Sequence, residues 1–401
     1  MATATKNRTR FSRRVRGISE SPTLTVLARA TALVAEGIDI VDFGPGEPDF
    51  GTPKNVAAAG RHAIDSGFTK YTHSNGMKPL RDAVAERYNR CHGLHLTADN
   101  VITGTVGKQE LFNLTLALVD DGDEVIIPSP YWVSFPDQVR FAGGTPVFAK
   151  CDAANNYRPT FAAIEAMATG RTRGVIINSP CNPTGAVIEE KELRKIVEWC
   201  VSRDLFLLFD ETYELFVYDG HKHVSALTWF EEYSDTIIAV NSLSKTYAMT
   251  GWRLGYAVAS PEIIAAVSRI QSHSTSNPST IAQAAALEAL TGDQSAVRQM
   301  HDAYAARRAY LVPALNAIDG FRCSDPDGAF YVFPEVKSLY GRAGITGSSS
   351  FATYLLDHAR VAVVPGIGFG ADECVRISYA TSMERLREGV ARISSALTKL
   401  V

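Results

Sequence analysis

The sequence predicts an α/β protein: a mostly parallel central sheet flanked by helices, joined to a smaller α+β domain. Three observations carry this. Short runs rich in Val, Ile, Leu and Phe recur at 101–103, 124–127, 146–149, 175–178, 205–210, 236–240 and 254–259. Runs of this length and composition read as strands buried on both faces. Amphipathic stretches lie between several of them, the alternation of parallel strands with crossover helices. The last part of the chain then changes character, with helices flanking shorter strands.

Each element follows from its own pattern. In 108–119, Leu111, Phe112, Leu114, Thr115 and Leu118 line one side of a helix. In 189–203, Leu193, Ile196, Val197 and Cys200 recur at helical spacing. Beyond residue 286, a helical stretch at 296–316 precedes short strands near 329–333, 361–364 and 375–379. The predicted division is an N-terminal arm with part of the small domain at 1–51, a large domain at 52–285 and a small C-terminal domain at 286–401.

Composition narrows the function classes. The 401 residues are 46% hydrophobic and 21% charged, with a formal net charge of −3. That is ordinary globular usage, with no global attraction to nucleic acid or an anionic membrane. Lys6, Arg8, Arg10, Arg13, Arg14 and Arg16 all precede the first acid, Glu20. This head reads as a solvated arm rather than a transit peptide, because it lacks an amphipathic repeat. No apolar stretch reaches the ~18 residues of a membrane span, and the expected setting is cytoplasmic. The cysteines form no CxxC pair and no zinc-site spacing, so free thiols and no metal are expected. His221 and His223, beside Gly220, read as a solvated turn.

Ligands of such sheets bind beyond the carboxyl ends of the strands. Four features stand there. Thr103-Gly104-Thr105-Val106-Gly107-Lys108-Gln109 follows a strand and opens a helix, offering free N–H groups and a positive charge to an anion. Asn182-Pro183-Thr184-Gly185 follows the run 175–178. Asp210 ends a run of Leu and Phe, where an ionised carboxylate needs a cation or a donor. Ser242-Leu243-Ser244-Lys245 follows the run 236–240, with Arg253 close behind. Serines and an arginine suit a phosphate, and a desolvated lysine there is nucleophilic. Alone, each reads equally well as a turn, a helix cap or a surface lysine. Together they supply what a pyridoxal-phosphate site needs.

These residues also carry a resemblance. The series GxxGKQ, PYW, NPTG, FDETY, SLSK, TGWRLGY and VRISYA resembles, in order, a class I aminotransferase of fold type I. It is most similar to the bacterial and plant aspartate or prephenate aminotransferase branch, from about Ser12 to beyond Thr381. The resemblance implies a transaminase using pyridoxal 5'-phosphate, with aspartate or glutamate as the expected amino acid. Lys245 would hold the cofactor as a Schiff base and shuttle the proton at Cα. Asp210 would keep the pyridine nitrogen protonated. Tyr213 and Asn182 would bind the phenolic oxygen, and Trp132 would stack on the ring. Val106, Gly107, Lys108, Ser242, Ser244 and Arg253 would surround the phosphate. Tyr71 would reach the phosphate of a neighbouring subunit, which implies a homodimer. Arg376 would clamp the substrate α-carboxylate beside Gly46 and Asn182, and Lys108 would meet a distal carboxylate.

Two departures stand out. Val106 occupies a position where the branch often has glycine, and Ser19-Glu20-Ser21 stands where relatives often have Lys-Pro-Ser. Alternatives are transamination of prephenate, aromatic or branched substrates, or a lyase on the same fold. The S-x-x-K of Ser242–Lys245 lacks the companion motifs of a serine acyl-transfer enzyme. Gly366-Ile367-Gly368-Phe369-Gly370 lacks dinucleotide spacing and reads as a tight loop near Arg376.

Overall fold

The computed structural model describes residues 11–18 and 22–399. Lys6, Arg8, Arg10 and the segment Ser19-Glu20-Ser21 lie outside the described residues. The strands in chain order are β1 (Val41–Asp42), β2 (Val101–Gly104), β3 (Glu124–Ser129), β4 (Thr145–Lys150), β5 (Thr172–Asn178) and β6 (Phe206–Asp210). They continue with β7 (Ile237–Ser242), β8 (Gly255–Val258), β9 (Tyr331–Val332), β10 (Val361–Ala362), β11 (Val364–Pro365) and β12 (Val375–Ser378).

Seven of these form the main sheet in the order β2-β8-β7-β6-β5-β3-β4. The pairs among β3 to β7 are parallel, while β8 runs antiparallel to both β2 and β7. The run at 254–259 therefore gives a strand, but not a parallel one. Its connection from β7 is only the short turn region through Arg253, too brief for a helical crossover. All seven predicted runs lie in this sheet.

The apolar runs are uninterrupted because both faces are covered. Val175 and Ile177 pack into one core layer with Leu207, Phe209 and Ile237. The intervening Ile176 packs into a second layer with Leu208, Ile238, Val125 and Ile127. Strand side chains alternate faces, so two apolar layers demand a continuous apolar run.

The helices Gly107–Leu118, Glu190–Ser202 and Ser295–Asn316 match the predicted stretches to within a residue or so at each end. Near the C-terminus, β11, β12 and β9 form an antiparallel sheet, and β1 pairs in parallel with β10, Val41 opposite Val361. The segment around residue 41 thus packs with the tail of the chain. No described helix is long and apolar enough to cross a membrane.

Candidate active site

The carboxyl ends of the parallel strands converge on a cavity of about 1240 Å³. Lys245 lies in the short helix Leu243–Thr246, which follows directly from β7 and is capped by the Ser242 hydroxyl. Its Nζ donates to the carbonyl of Gly46. Burial pushes the Lys245 ammonium down to about 8, against a smaller opposing effect from Glu47. Arg376, Arg253 and Lys108 push in the same direction as burial. Roughly a tenth of this amine is therefore neutral at pH 7, far more than for an ordinary lysine, as nucleophilic and basic roles require.

Asp210 closes β6 at the floor of the cavity. Thr212 donates its backbone N–H at 3.1 Å and its hydroxyl at 2.7 Å to the same oxygen, Oδ1. Burial nevertheless pushes the carboxyl up to about 6. A buried carboxylate in this state gains most from a cationic partner.

At the other end, Val106 precedes the helix Gly107–Leu118 with φ 74° and ψ 158°. That is a backbone region unusual for a β-branched residue and natural for glycine. The departure at Val106 thus leaves a glycine-like loop path in place. Side-chain-free Gly255 allows the approach, since a Cβ there would run into Val106 and the Gly107 amide. Ser242 Oγ donates to Ser244 Oγ at 2.8 Å, and both line the cavity with Lys108 and Arg253. The Lys108 ammonium sits 4.8 Å from the Trp132 ring centroid and is pushed down by burial and by Arg253. Two serine hydroxyls, two cations and a helix N-terminus make this end an anion site.

The third group comes from the smaller sheet. Arg376 on β12 donates to Asn182 Oδ1 at 3.0 Å and to the Gly44 carbonyl at 2.6 Å. Its guanidinium lies 4.5 Å over the Tyr331 ring and 5.2 Å from that of Phe369. Phe369 belongs to the turn Gly366–Phe369, placing the glycine-rich loop beside this arginine as expected. Arg376 Nε is buried without a partner. Asn182 is itself held by its backbone N–H, which donates to Asn178 Oδ1 at 2.8 Å.

The cavity is lined by Gly46, Val106, Lys108, Trp132, Asn182, Asp210, Tyr213, Ser242, Ser244, Lys245, Arg253 and Arg376. Gly107 lies directly behind it at the start of its helix. Tyr71 is apart: it is 89% exposed and does not line the cavity of its own chain. Tyr331 and Thr212 were not anticipated. Tyr331 shares a 2.8 Å hydroxyl contact with Tyr213, but a tyrosine inside an apolar run carries no sign of this. Thr212 stands in the quoted FDETY run, and its hydroxyl two residues after a strand-end aspartate was an available signal.

His223 also differs from the expected solvated turn. Its Nε2 lies 2.6 Å from Oε2 of buried Glu211, whose other oxygen accepts from Ser225 at 2.9 Å. Glu214 pairs with Arg87 at 2.8 Å and with Asn241. Glu211, Glu214 and His223 come close enough together to hold a metal ion, but these pairings already engage them.

The donor set fits pyridoxal 5'-phosphate: an anion cradle at one end, a lone buried carboxylate for a ring cation at the other, and a partly neutral lysine between. Fold and site together define a fold type I pyridoxal-phosphate enzyme. The model for aminotransferase class I and II matches residues 38–393. The chain belongs to this family, and it is an aminotransferase. It is 42% identical to an aspartate aminotransferase of Bacillus sp. (strain YM-2), over 96% of this chain and 98% of the relative. It is equally 42% identical to an asparagine–oxo-acid transaminase of Streptococcus mutans, over 98% of this chain and all of the relative. Among solved structures, the Thermus thermophilus aspartate aminotransferase with maleate matches with a TM-score of 0.91 and 41% identity, over 96% of this chain and 99% of that one.

Proposed function

We propose that this enzyme moves an amino group between aspartate or glutamate and a 2-oxo acid by a ping-pong cycle, with Lys245, Asp210 and Tyr213 as its catalytic residues. The observation that carries the reading is the meeting of Lys245, Asp210 and Arg376 in one cavity, from three separate elements. When bound, pyridoxal phosphate supplies an electron sink for the charge that develops at the amino acid's Cα.

The chain's own residues do the rest. Lys245 Nζ anchors the cofactor and moves the proton at Cα. Asp210 holds a proton at the ring nitrogen, and Thr212 fixes the carboxylate in place. Tyr213 and Asn182 serve the phenolic oxygen, and Trp132 covers the ring. Val106, Gly107, Lys108, Ser242, Ser244 and Arg253 take the phosphate end. Arg376 offers a forked guanidinium to the α-carboxylate, oriented by Asn182 and the Gly44 carbonyl and adjoined by Gly46. Lys108 supplies the charge for a second carboxylate.

The exposure of Tyr71 supports a homodimer in which it serves the partner's phosphate site. The pairing of β1 with β10 supports a small domain assembled from 1–51 and 286–401, around a large domain of 52–285. The composition fits a cytoplasmic setting.

The test is a pair of half-reactions followed by absorbance. Aspartate should convert the bound cofactor to its amine form, and 2-oxoglutarate should restore it. Asparagine and prephenate belong in the panel, because relatives with those substrates in their names are 42% identical to this chain. If aromatic or branched amino acids exceed aspartate in kcat/KM by about tenfold or more, the acidic-substrate reading fails.

A further inference from the structure

Tyr331 is fully buried on β9, opposite Ser378 of β12, with its hydroxyl 2.8 Å from that of Tyr213. The two rings meet edge to face, with centroids 5.7 Å apart. The Arg376 guanidinium covers the Tyr331 ring at 4.5 Å. A Cβ placed on Gly46 would come within 2.8 Å of the Tyr331 hydroxyl. The side chain is thus fixed by its strand, by the substrate-site arginine and by the loop that accepts from Lys245.

Each phenol has one proton to give. Among the described residues, the Tyr331 hydroxyl has Tyr213 as its one hydrogen-bond partner. Leaving a buried hydroxyl unsatisfied is costly, so Tyr331 is held to this contact. If Tyr213 gives its proton to the cofactor's phenolic oxygen, Tyr331 must donate to Tyr213. Donation into Tyr213 strengthens Tyr213 as a donor, since linked hydrogen bonds polarise one another.

We propose that Tyr331 is a positioning residue whose hydroxyl donates to Tyr213 and commits Tyr213's own proton to the cofactor. This rests on the reading of Lys245 and Tyr213 given above. A stronger donor at the phenolic oxygen favours the deprotonated form of the Lys245-bound cofactor. Tyr331 thereby links the element that carries Arg376 to the protonation of the cofactor. The charged groups facing the pair are Arg376, Glu47 and Asp210.

The experiment is a pH titration of the holoenzyme's absorption band, in the parent, Tyr331→Phe, Tyr213→Phe and the double variant. Tyr331→Phe should raise the midpoint by about 0.5–1 pH unit, the size of one lost hydrogen bond. In the Tyr213→Phe background the same change should move it no further. An unmoved midpoint, or an equal shift in both backgrounds, overturns the proposal. Should Tyr331→Phe not retain cofactor, 3-fluorotyrosine at position 331 keeps the shape and makes a better donor. It should lower the midpoint, and a raised or unchanged midpoint contradicts the proposal. Lys245→Ala separates the two claims. A band with the parent's position and midpoint that survives there sinks the Lys245 reading. An unmoved midpoint in a band that depends on Lys245 sinks the role of Tyr331 alone.

Discussion

Thr212 donates two hydrogen bonds, at 3.1 and 2.7 Å, to one oxygen of Asp210. The carboxylate is thereby locked at the cavity floor while burial still leaves it short of a cation, its carboxyl pushed up to about 6. Asp210→Ala should lower kcat on the order of 10²–10³-fold, the effect of removing one partner from a buried charge pair. Thr212→Val, which keeps the backbone donor, should lose far less. Steady-state kinetics on both variants checks this, and near-normal turnover in Asp210→Ala contradicts the role.

Cofactor loading should depend on pH through Lys245. Its ammonium is pushed down to about 8, mainly by burial. The neutral fraction then rises from roughly a tenth at pH 7 to roughly nine-tenths at pH 9. The initial rate at which cofactor-free enzyme attaches pyridoxal phosphate covalently should climb about tenfold over that interval. A rate still climbing steeply between pH 9 and pH 10 would mean an ordinary exposed lysine.

Glu110 yields a stability prediction. Both its carboxylate oxygens are buried without partners, beside Gly104, and burial pushes the carboxyl up to about 8. Between the ordinary value of 4.5 and about 8, the folded state keeps a proton that the unfolded state releases. Stability is therefore full below the ordinary value and falls as pH rises through 8. Glu110→Gln should stabilise by roughly 1–3 kcal/mol at pH 8.5 and by little at pH 4.5. Denaturant titrations at the two pH values decide it; equal effects at both would show that Glu110 is not the titrating group.

Glu110 also marks where the sequence stops being informative. A glutamate near the start of a helix reads as a favourable charge on an exposed turn. Its helix is covered by the helix Pro261–Ser272, far along the chain. Asp210, Lys245 and Asn182 were legible because each ends or follows an apolar run, where polarity needs a reason, while Arg376 was expected only from the family resemblance. The strands themselves were legible because burial on both faces leaves no polar gaps. The antiparallel sense of β8 was not, since direction is set by its connection rather than its residues. Nor was the Tyr213–Tyr331 pair, because a buried tyrosine in a strand looks like packing until its hydroxyl is placed.

Lys108 should set the preference for a second carboxylate. Lys108→Ala, assayed at saturating cofactor, should lower kcat/KM for aspartate on the order of 10–10²-fold more than that for alanine, the value of a charged contact. An equal loss for both amino acids would assign Lys108 to the cofactor phosphate alone.

Every role proposed for the site depends on Lys245 holding the cofactor. Borohydride reduction of the holoenzyme, followed by proteolysis and mass mapping, tests it directly. The pyridoxyl adduct should appear on the peptide containing Lys245 and be absent from Lys245→Ala. An adduct on Lys108 or elsewhere, with Lys245 unmodified, would remove Lys245 as the anchor.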